Sequence, residues 1–127
     1  MKHPKCHLLF HTPTGKIRYP LNNNGGNTLG RKSGLNPPDV DLLIETTDNL
    51  MSRRHARISI SFGMPPNYLL SDLDSQNGTV LINKQRQELT IMPGDEVFLE
   101  DGYIIRMGAT EVVFEMVRPD SKTNLRV

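Results

Sequence analysis

The sequence predicts an all-β domain of many short strands, folded as a sandwich or a barrel. Two observations carry this. Ten glycines and nine prolines punctuate the chain every few residues, so most uninterrupted intervals are too short for a helix. The longer interval from Asp39 to Phe62 divides into two strand-like apolar runs, Val40 to Ile44 and Ala56 to Phe62, around polar Glu45 to Asn49. In the second run Ile58, Ile60 and Phe62 alternate with serines, which is the period of a half-buried strand.

Taken in order, Cys6 to His11 and Ile17 to Leu21 flank Pro13-Thr14-Gly15 and read as a hairpin. Asn22 to Asn27 is a polar loop of asparagine and glycine. Thr28-Leu29-Gly30-Arg31 then forms a short strand ending in glycine and arginine. Lys32 to Asp39 contains Gly34, Pro37 and Pro38 and reads as a second loop. Val40 to Ile44 and Ala56 to Phe62 are strands. Gly63-Met64-Pro65-Pro66-Asn67 turns the chain into a strand from Tyr68 to Leu73. Asp74 to Thr79 is a loop whose Asn77-Gly78 pair is a tight-hairpin signal, because both residues accept positive φ. Val80 to Ile82, Glu88 to Met92, Val97 to Leu99, Tyr103 to Met107 and Val112 to Val117 complete the strands. Val112, Phe114 and Met116 share one face of the last. Residues 1–118 read as one domain, and 119–127 as a polar, loose C-terminal tail.

A chain of 127 residues can bury a real core without covalent staples. The net charge of +1, from 15 basic and 14 acidic residues, gives no general attraction to nucleic acid or membrane. Cys6 is the one cysteine, so no disulfide framework exists within the chain and a reducing compartment is permitted. No apolar leader opens the sequence and no apolar stretch approaches membrane-spanning length. The expectation is a soluble, cytoplasmic, monomeric domain.

The chemistry-bearing stretch is Met51-Ser52-Arg53-Arg54-His55-Ala56-Arg57-Ile58. A hydroxyl, two adjacent guanidiniums and a histidine sit on the loop that enters a strand. Such a cluster suits gripping a phosphate or carboxylate, although taken alone it more often marks a solvated basic turn. Several other constellations fail. Ser52 and His55, with Asp48 or Asp72 as orienter, invite a nucleophile-base reading. Their spacing gives no reason for hydrogen-bond geometry, and no G-x-S-x-G elbow is present. Asp72 to Gly78 places its glycine one position late for a calcium loop, and Asn83 stands where the bidentate glutamate belongs. His3, His7 and His11 fall on one strand face but lie too far apart for one ion, so no metal or cofactor is expected. Arg53, Arg54, Arg57, Lys84 and Arg86 could form a basic patch, but the three tyrosines and four phenylalanines offer no evident stacking platform. Thr46, Thr47 and Thr123 lie in polar stretches open to a kinase.

Three motifs now stand in order: Gly30-Arg31, Ser52-Arg53-Arg54-His55 and Ser75-Gln76-Asn77-Gly78-Thr79. Together they resemble the forkhead-associated (FHA) domain, whose pattern is G-R, S-x-x-H and an N-G-T turn. Leu99 to Gly108 and Val112 to Met116 are similar to the closing strands of that family, so the resemblance runs from about Cys6 to Arg118. It implies a two-sheet sandwich of about eleven strands whose loops at one end bind a phosphothreonine peptide. By the same resemblance Arg31 and Ser52 contact the phosphate, Arg53 adds a basic contact, Asn77 bonds the peptide backbone and Gln76 sits beside it. Gly30, His55, Gly78 and Thr79 support the loops. The implied role is non-enzymatic, in signalling downstream of a Ser/Thr kinase. A phosphate-independent scaffold of the same fold and a nucleic-acid-binding β-domain are the rival readings. The sequence departs from the family at Asn83-Lys84, which suggests a longer or reshaped hairpin, and at Tyr103, where an aspartate is common.

The residues themselves suit those roles. A phosphothreonine carries about −1.5 to −2 charges and three acceptor oxygens at neutral pH. Charge-assisted hydrogen bonds to it contribute roughly 1.5–3 kcal/mol each. In some members of the family it resembles, the neighbouring loop selects the third residue after phosphothreonine, and by that resemblance uncharged Leu50, two residues before Ser52, implies no acidic choice there.

Overall fold

A computed structural model describes residues 5–117 except Asn24 and Met64; the expected boundary at 118, the tail, His3 and Thr123 lie outside the described residues. Among those residues there are eleven strands and no helix. They are β1 (Lys5–Thr12), β2 (Gly15–Pro20), β3 (Gly26–Arg31), β4 (Leu42–Ile44), β5 (Ala56–Ser61) and β6 (Asn67–Asp72). The rest are β7 (Thr79–Ile82), β8 (Glu88–Ile91), β9 (Val97–Phe98), β10 (Ile104–Met107) and β11 (Thr110–Val117). One sheet has the order β2-β1-β11-β10-β7-β8 and the other β4-β3-β5-β6-β9. All pairings are antiparallel except β3 with β4.

Alternation within the strands builds the sandwich core. Cys6 and Leu8 on β1, Val112 and Phe114 on β11, and Ile105 and Met107 on β10 face inward and are buried. They meet Leu29, Ile44, Ala56, Ile58, Tyr68 and Leu70 from the other sheet. The Tyr68 and Phe114 rings lie 5.4 Å apart at 52°, a tilted contact across the two sheets. Each large side chain so buried stabilises the fold by roughly 1.5–3 kcal/mol before conformational entropy is subtracted.

Three local expectations change. The strand expected from Val40 begins at Leu42, because the Val40 amide closes a turn onto the Pro37 carbonyl. Asp41 meets β3 at Thr28 alone, its amide donating to the Thr28 carbonyl at 2.9 Å and its side chain accepting the Thr28 amide at 2.8 Å. The strand expected to reach Phe62 ends at Ser61, whose partner Asn67 is the last of the β5–β6 ladder; Phe62 projects past the sheet and is fully exposed. Asn77-Gly78 does not close a hairpin. β6 and β7 belong to different sheets, so this loop carries the chain from one sheet to the other, and among the loop's residues Asp74 and Gly78 have positive φ. The β7–β8 hairpin has the longer loop its departure suggested, closed by Asn83 Oδ1 accepting the Gln85 and Gln87 amides and by Arg86 at φ 65°.

The pairings gather one set of strand ends. Leu29 lies beside Ala56, Ala56 beside Asp72, and Met107 beside both Thr79 and Thr110. The connections after β3, before β5, between β6 and β7 and between β10 and β11 therefore meet at one end of the sandwich.

Candidate functional site

The segment Leu50-Met51-Ser52 forms the centre of that end. Met51 is fully buried and fastens the β4–β5 connection into the core. Its neighbours then present their backbone to the surrounding loops. The Leu50 carbonyl accepts a hydrogen bond from Asn77 Nδ2 at 2.9 Å, and the Met51 carbonyl accepts one from Arg31 Nε at 2.9 Å. The Ser52 carbonyl accepts the Arg31 amide at 3.0 Å, so β3 and this segment are joined twice.

Arg31 ends β3 half-buried, with Nε committed to Met51. Both terminal nitrogens of its guanidinium remain without a partner among the described residues. Ser52 Oγ accepts the Gln76 amide at 3.3 Å, which leaves its own hydrogen to donate elsewhere. Asn77 spends one N–H on Leu50 and keeps its carbonyl oxygen and second N–H. The Gln76 and Arg53 side chains are exposed, and no hydrogen bond or ion pair holds either among the described residues. The structure thus brings Arg31, Ser52, Gln76 and Asn77 together, with Arg53 next to Ser52 on the same loop.

Arg54 points to a different use: its Nε bonds Asp39 at 2.9 Å. Arg57 lies on β5 against Thr28 Oγ1 at 2.9 Å. Lys84 and Arg86 sit on the β7–β8 hairpin, at the end of β7 away from Thr79. The five basic residues considered as a nucleic-acid patch therefore do not form one surface.

The loops rest on buried polar groups. His55 is fully buried; its Nδ1 accepts the Ser52 amide at 2.9 Å, which puts the ring hydrogen on Nε2, and Nε2 donates to the Gly78 carbonyl at 2.9 Å. Burial pushes its pKa down, against the Gly78 bond and the charges of Asp72 and Asp48, and the ring is neutral at neutral pH. With both nitrogens committed, His55 has no position from which to deprotonate Ser52, and neither Asp48 nor Asp72 bonds the ring. Asp72 instead accepts Thr79 Oγ1 at 2.7 Å and the Ser75 amide at 3.0 Å, while Ser75 Oγ accepts the Gly78 amide at 3.0 Å. Gly78 adopts φ 84°. Gly30 is fixed by space: a Cβ there would run into the Arg53 carbonyl.

Asn36 ties the adjacent β3–β4 loop in. Its Nδ2 donates to the Arg31 carbonyl at 2.9 Å and to the Arg53 carbonyl at 3.2 Å. Sequence reasoning missed Asn36, Asp72 and Met51 as parts of this frame. Asp72 and Ser75, three apart ahead of the loop, were a usable turn signal; Asn36 had none. Of the threonines, Thr47 is exposed, whereas Thr46 is half-buried and bonded to Thr110 Oγ1 at 3.1 Å. Among the described residues no cluster of histidine, cysteine or acidic side chains could hold a metal, and no helix is long and apolar enough to cross a membrane.

Comparison with known proteins agrees with this geometry. The family model described as the FHA domain matches residues 27–108. A search of curated proteins finds no match. Solved structures do match. One is an FHA domain from a structural and functional study of phosphothreonine-dependent FHA domain interactions. It is 31% identical, with a TM-score of 0.63, over 88% of this chain and 96% of that one. Full-length yeast Pml1p superposes with a TM-score of 0.73 at 23% identity, over 90% of this chain and 83% of that one. The MEK1 FHA domain, solved with a HOP1 phosphothreonine peptide, matches with a TM-score of 0.64 at 20% identity, over 87% and 95%. The last two likenesses speak to the fold. The family match, spanning β3 to the β10–β11 turn and including all three motifs, shows that this chain belongs to the FHA domain family.

Proposed function

We propose that this domain reads phosphothreonine in a partner protein and so makes a protein–protein interaction depend on a Ser/Thr kinase. The observation that carries the reading is the free donor set at the Leu50–Ser52 segment. Arg31 keeps two terminal nitrogens, and Ser52 keeps its hydroxyl hydrogen. In this reading both address the phosphate and Arg53 adds a second charge. Asn77 uses its remaining donor and acceptor on the backbone next to the phosphothreonine, and Gln76 touches the flanking chain. Gly30, His55, Gly78 and Thr79 hold the loops in place.

The energetics fit a reversible switch. Two or three charge-assisted bonds at roughly 1.5–3 kcal/mol each, less the cost of ordering a peptide, support affinity near micromolar, about −8 kcal/mol. The loops are cross-bonded in the free protein, so little is lost in arranging them. In this reading the role is binding, and the two committed ring nitrogens of His55 argue against a Ser52–His55 nucleophile–base pair. One buried cysteine, without a disulfide, suits the cytoplasm.

Backbone amide spectra during titration with a phosphothreonine peptide library test this assignment. Shifts are expected at Arg31, Ser52, Arg53, Gln76 and Asn77, with none at the Asn83–Gln87 hairpin. Shifts centred elsewhere would remove the site.

A further inference from the structure

Asp48 lies outside the three motifs, yet it holds the segment on which they meet. Its Oδ1 accepts the Leu50 amide at 2.9 Å. Its Oδ2 accepts the Ala109 amide at 2.8 Å and the Thr110 hydroxyl at 2.7 Å. Ala109 lies in the β10–β11 turn and Thr110 opens β11, in the other sheet from β4 and β5. Close packing backs up the bonds. Gly108, at φ 64°, lies so near Leu50 and Met51 that a Cβ on it would overlap their backbone. The same residue whose amide Asp48 fixes, Leu50, offers its carbonyl to Asn77 Nδ2.

We infer that Asp48 is a positioning residue for Asn77: it latches Leu50 to the β10–β11 turn and thereby sets where the Asn77 side chain stands. The β10–β11 turn belongs functionally to the site although it carries none of the motifs. The carboxylate is needed, not just its shape. An asparagine at this position has one acceptor in place of two, so it turns an N–H toward either the Leu50 or the Ala109 amide and leaves that amide unpaired. Arg31 is held through Met51 and through its own amide, and is expected to be independent of the latch.

The affinity part of this inference rests on the phosphothreonine reading; the geometric part does not, and the test separates them. First, the Asn77 side-chain amide is observed without peptide in wild type and in Asp48→Asn. A shift of that resonance is expected. An unmoved resonance overturns the inference, whatever the protein binds. Second, the tightest phosphothreonine peptide from a library is titrated into wild type, Asp48→Asn, Asn77→Ala and the double variant. Asp48→Asn is expected to weaken binding about five- to tenfold, and less than about twofold once Asn77 is alanine, as coupled neighbours behave. Full loss is expected to persist when Asp48→Asn is combined with Arg31→Ala. Equal loss with and without Asn77 indicates general loosening and overturns the inference. If Asp48→Asn fails to fold, Thr110→Val, which removes one of the three donors, takes its place in the same cycle.

Discussion

The buried ring of His55 joins the Ser52 amide to the Gly78 carbonyl, each at 2.9 Å, so one side chain fixes the distance between two loops. Its removal unpairs two backbone groups and opens a cavity. His55→Ala is expected to cost about 3 kcal/mol in urea denaturation, from cavity and unmet hydrogen bonds together. A loss under about 1 kcal/mol, the typical net value of a single hydrogen bond, would contradict the bridging role.

The same ring sets a pH dependence. Burial first, opposed by Gly78 and the nearby carboxylates, holds its folded pKa below the ordinary 6.5. The unfolded chain therefore takes up a proton before the folded one as pH falls. The contribution of the neutral ring is complete above 6.5 and is lost as pH drops through the lower folded value. Asp48 acts in a lower window. Burial raises its pKa, but the bonds from Thr110, Leu50 and Ala109 and the attraction of His55 outweigh this and leave it below 3.8. Its contribution is complete above 3.8 and fades as pH falls through its lower folded value. Urea midpoints measured from pH 7.5 to 5 should decline in wild type more steeply than in His55→Gln. Parallel profiles would show that His55 is not the group titrating.

Arg31→Ala is expected to weaken phosphothreonine-peptide binding at least tenfold, about 1.4 kcal/mol. The Nε bond to Met51 makes a small stability loss part of the expectation, on the order of 1 kcal/mol. Arg31→Lys keeps the charge but not that bond or the planar fork, so it should restore only part of the affinity. Calorimetric titration of the two variants measures this, and full recovery by lysine would reduce Arg31 to a point charge.

Gly30→Ala places a methyl group against the Arg53 carbonyl and beside Val40, with backbone on one side and no flexible neighbour there to yield. A destabilisation of about 2 kcal/mol is expected, typical of overpacking, with displacement of the Arg53 loop and weaker peptide binding. An unchanged melting temperature would mean that the two strand ends separate easily.

Arg86 occupies the left-handed region at φ 65°, a conformation a glycine takes at lower cost. Arg86→Gly should stabilise the domain by about 0.5–1 kcal/mol, strain relief less the added freedom of the unfolded chain. Peptide affinity should not change, because this hairpin is at the far end of β7.

Eleven strands were legible because each is bounded by glycine, proline or a polar cluster and most alternate in hydrophobicity. Ile58 and Ile60 alternated as strand residues should, but nothing in the sequence says that β6 starts too late to cover Phe62. Asn77-Gly78 carried a local signal that tertiary structure overrode, since a hairpin there would have kept β7 in the sheet of β6. The meeting of Arg31, Ser52 and Asn77 was anticipated by motif resemblance, not by local pattern. What escaped were the struts: Met51 looks like any loop methionine until the core receives it, and Asp48 gains its partners from a turn far along the chain.

The most direct measurement is calorimetric titration of the domain with three matched peptides bearing phosphothreonine, phosphoserine or plain threonine. Binding near micromolar to the phosphothreonine peptide, none to plain threonine, and loss of the signal in Arg31→Ala is the predicted result. Equal affinity for the phosphorylated and plain peptides, or no binding across a diverse phosphothreonine library, would contradict the account and leave the fold serving as a phosphate-independent scaffold.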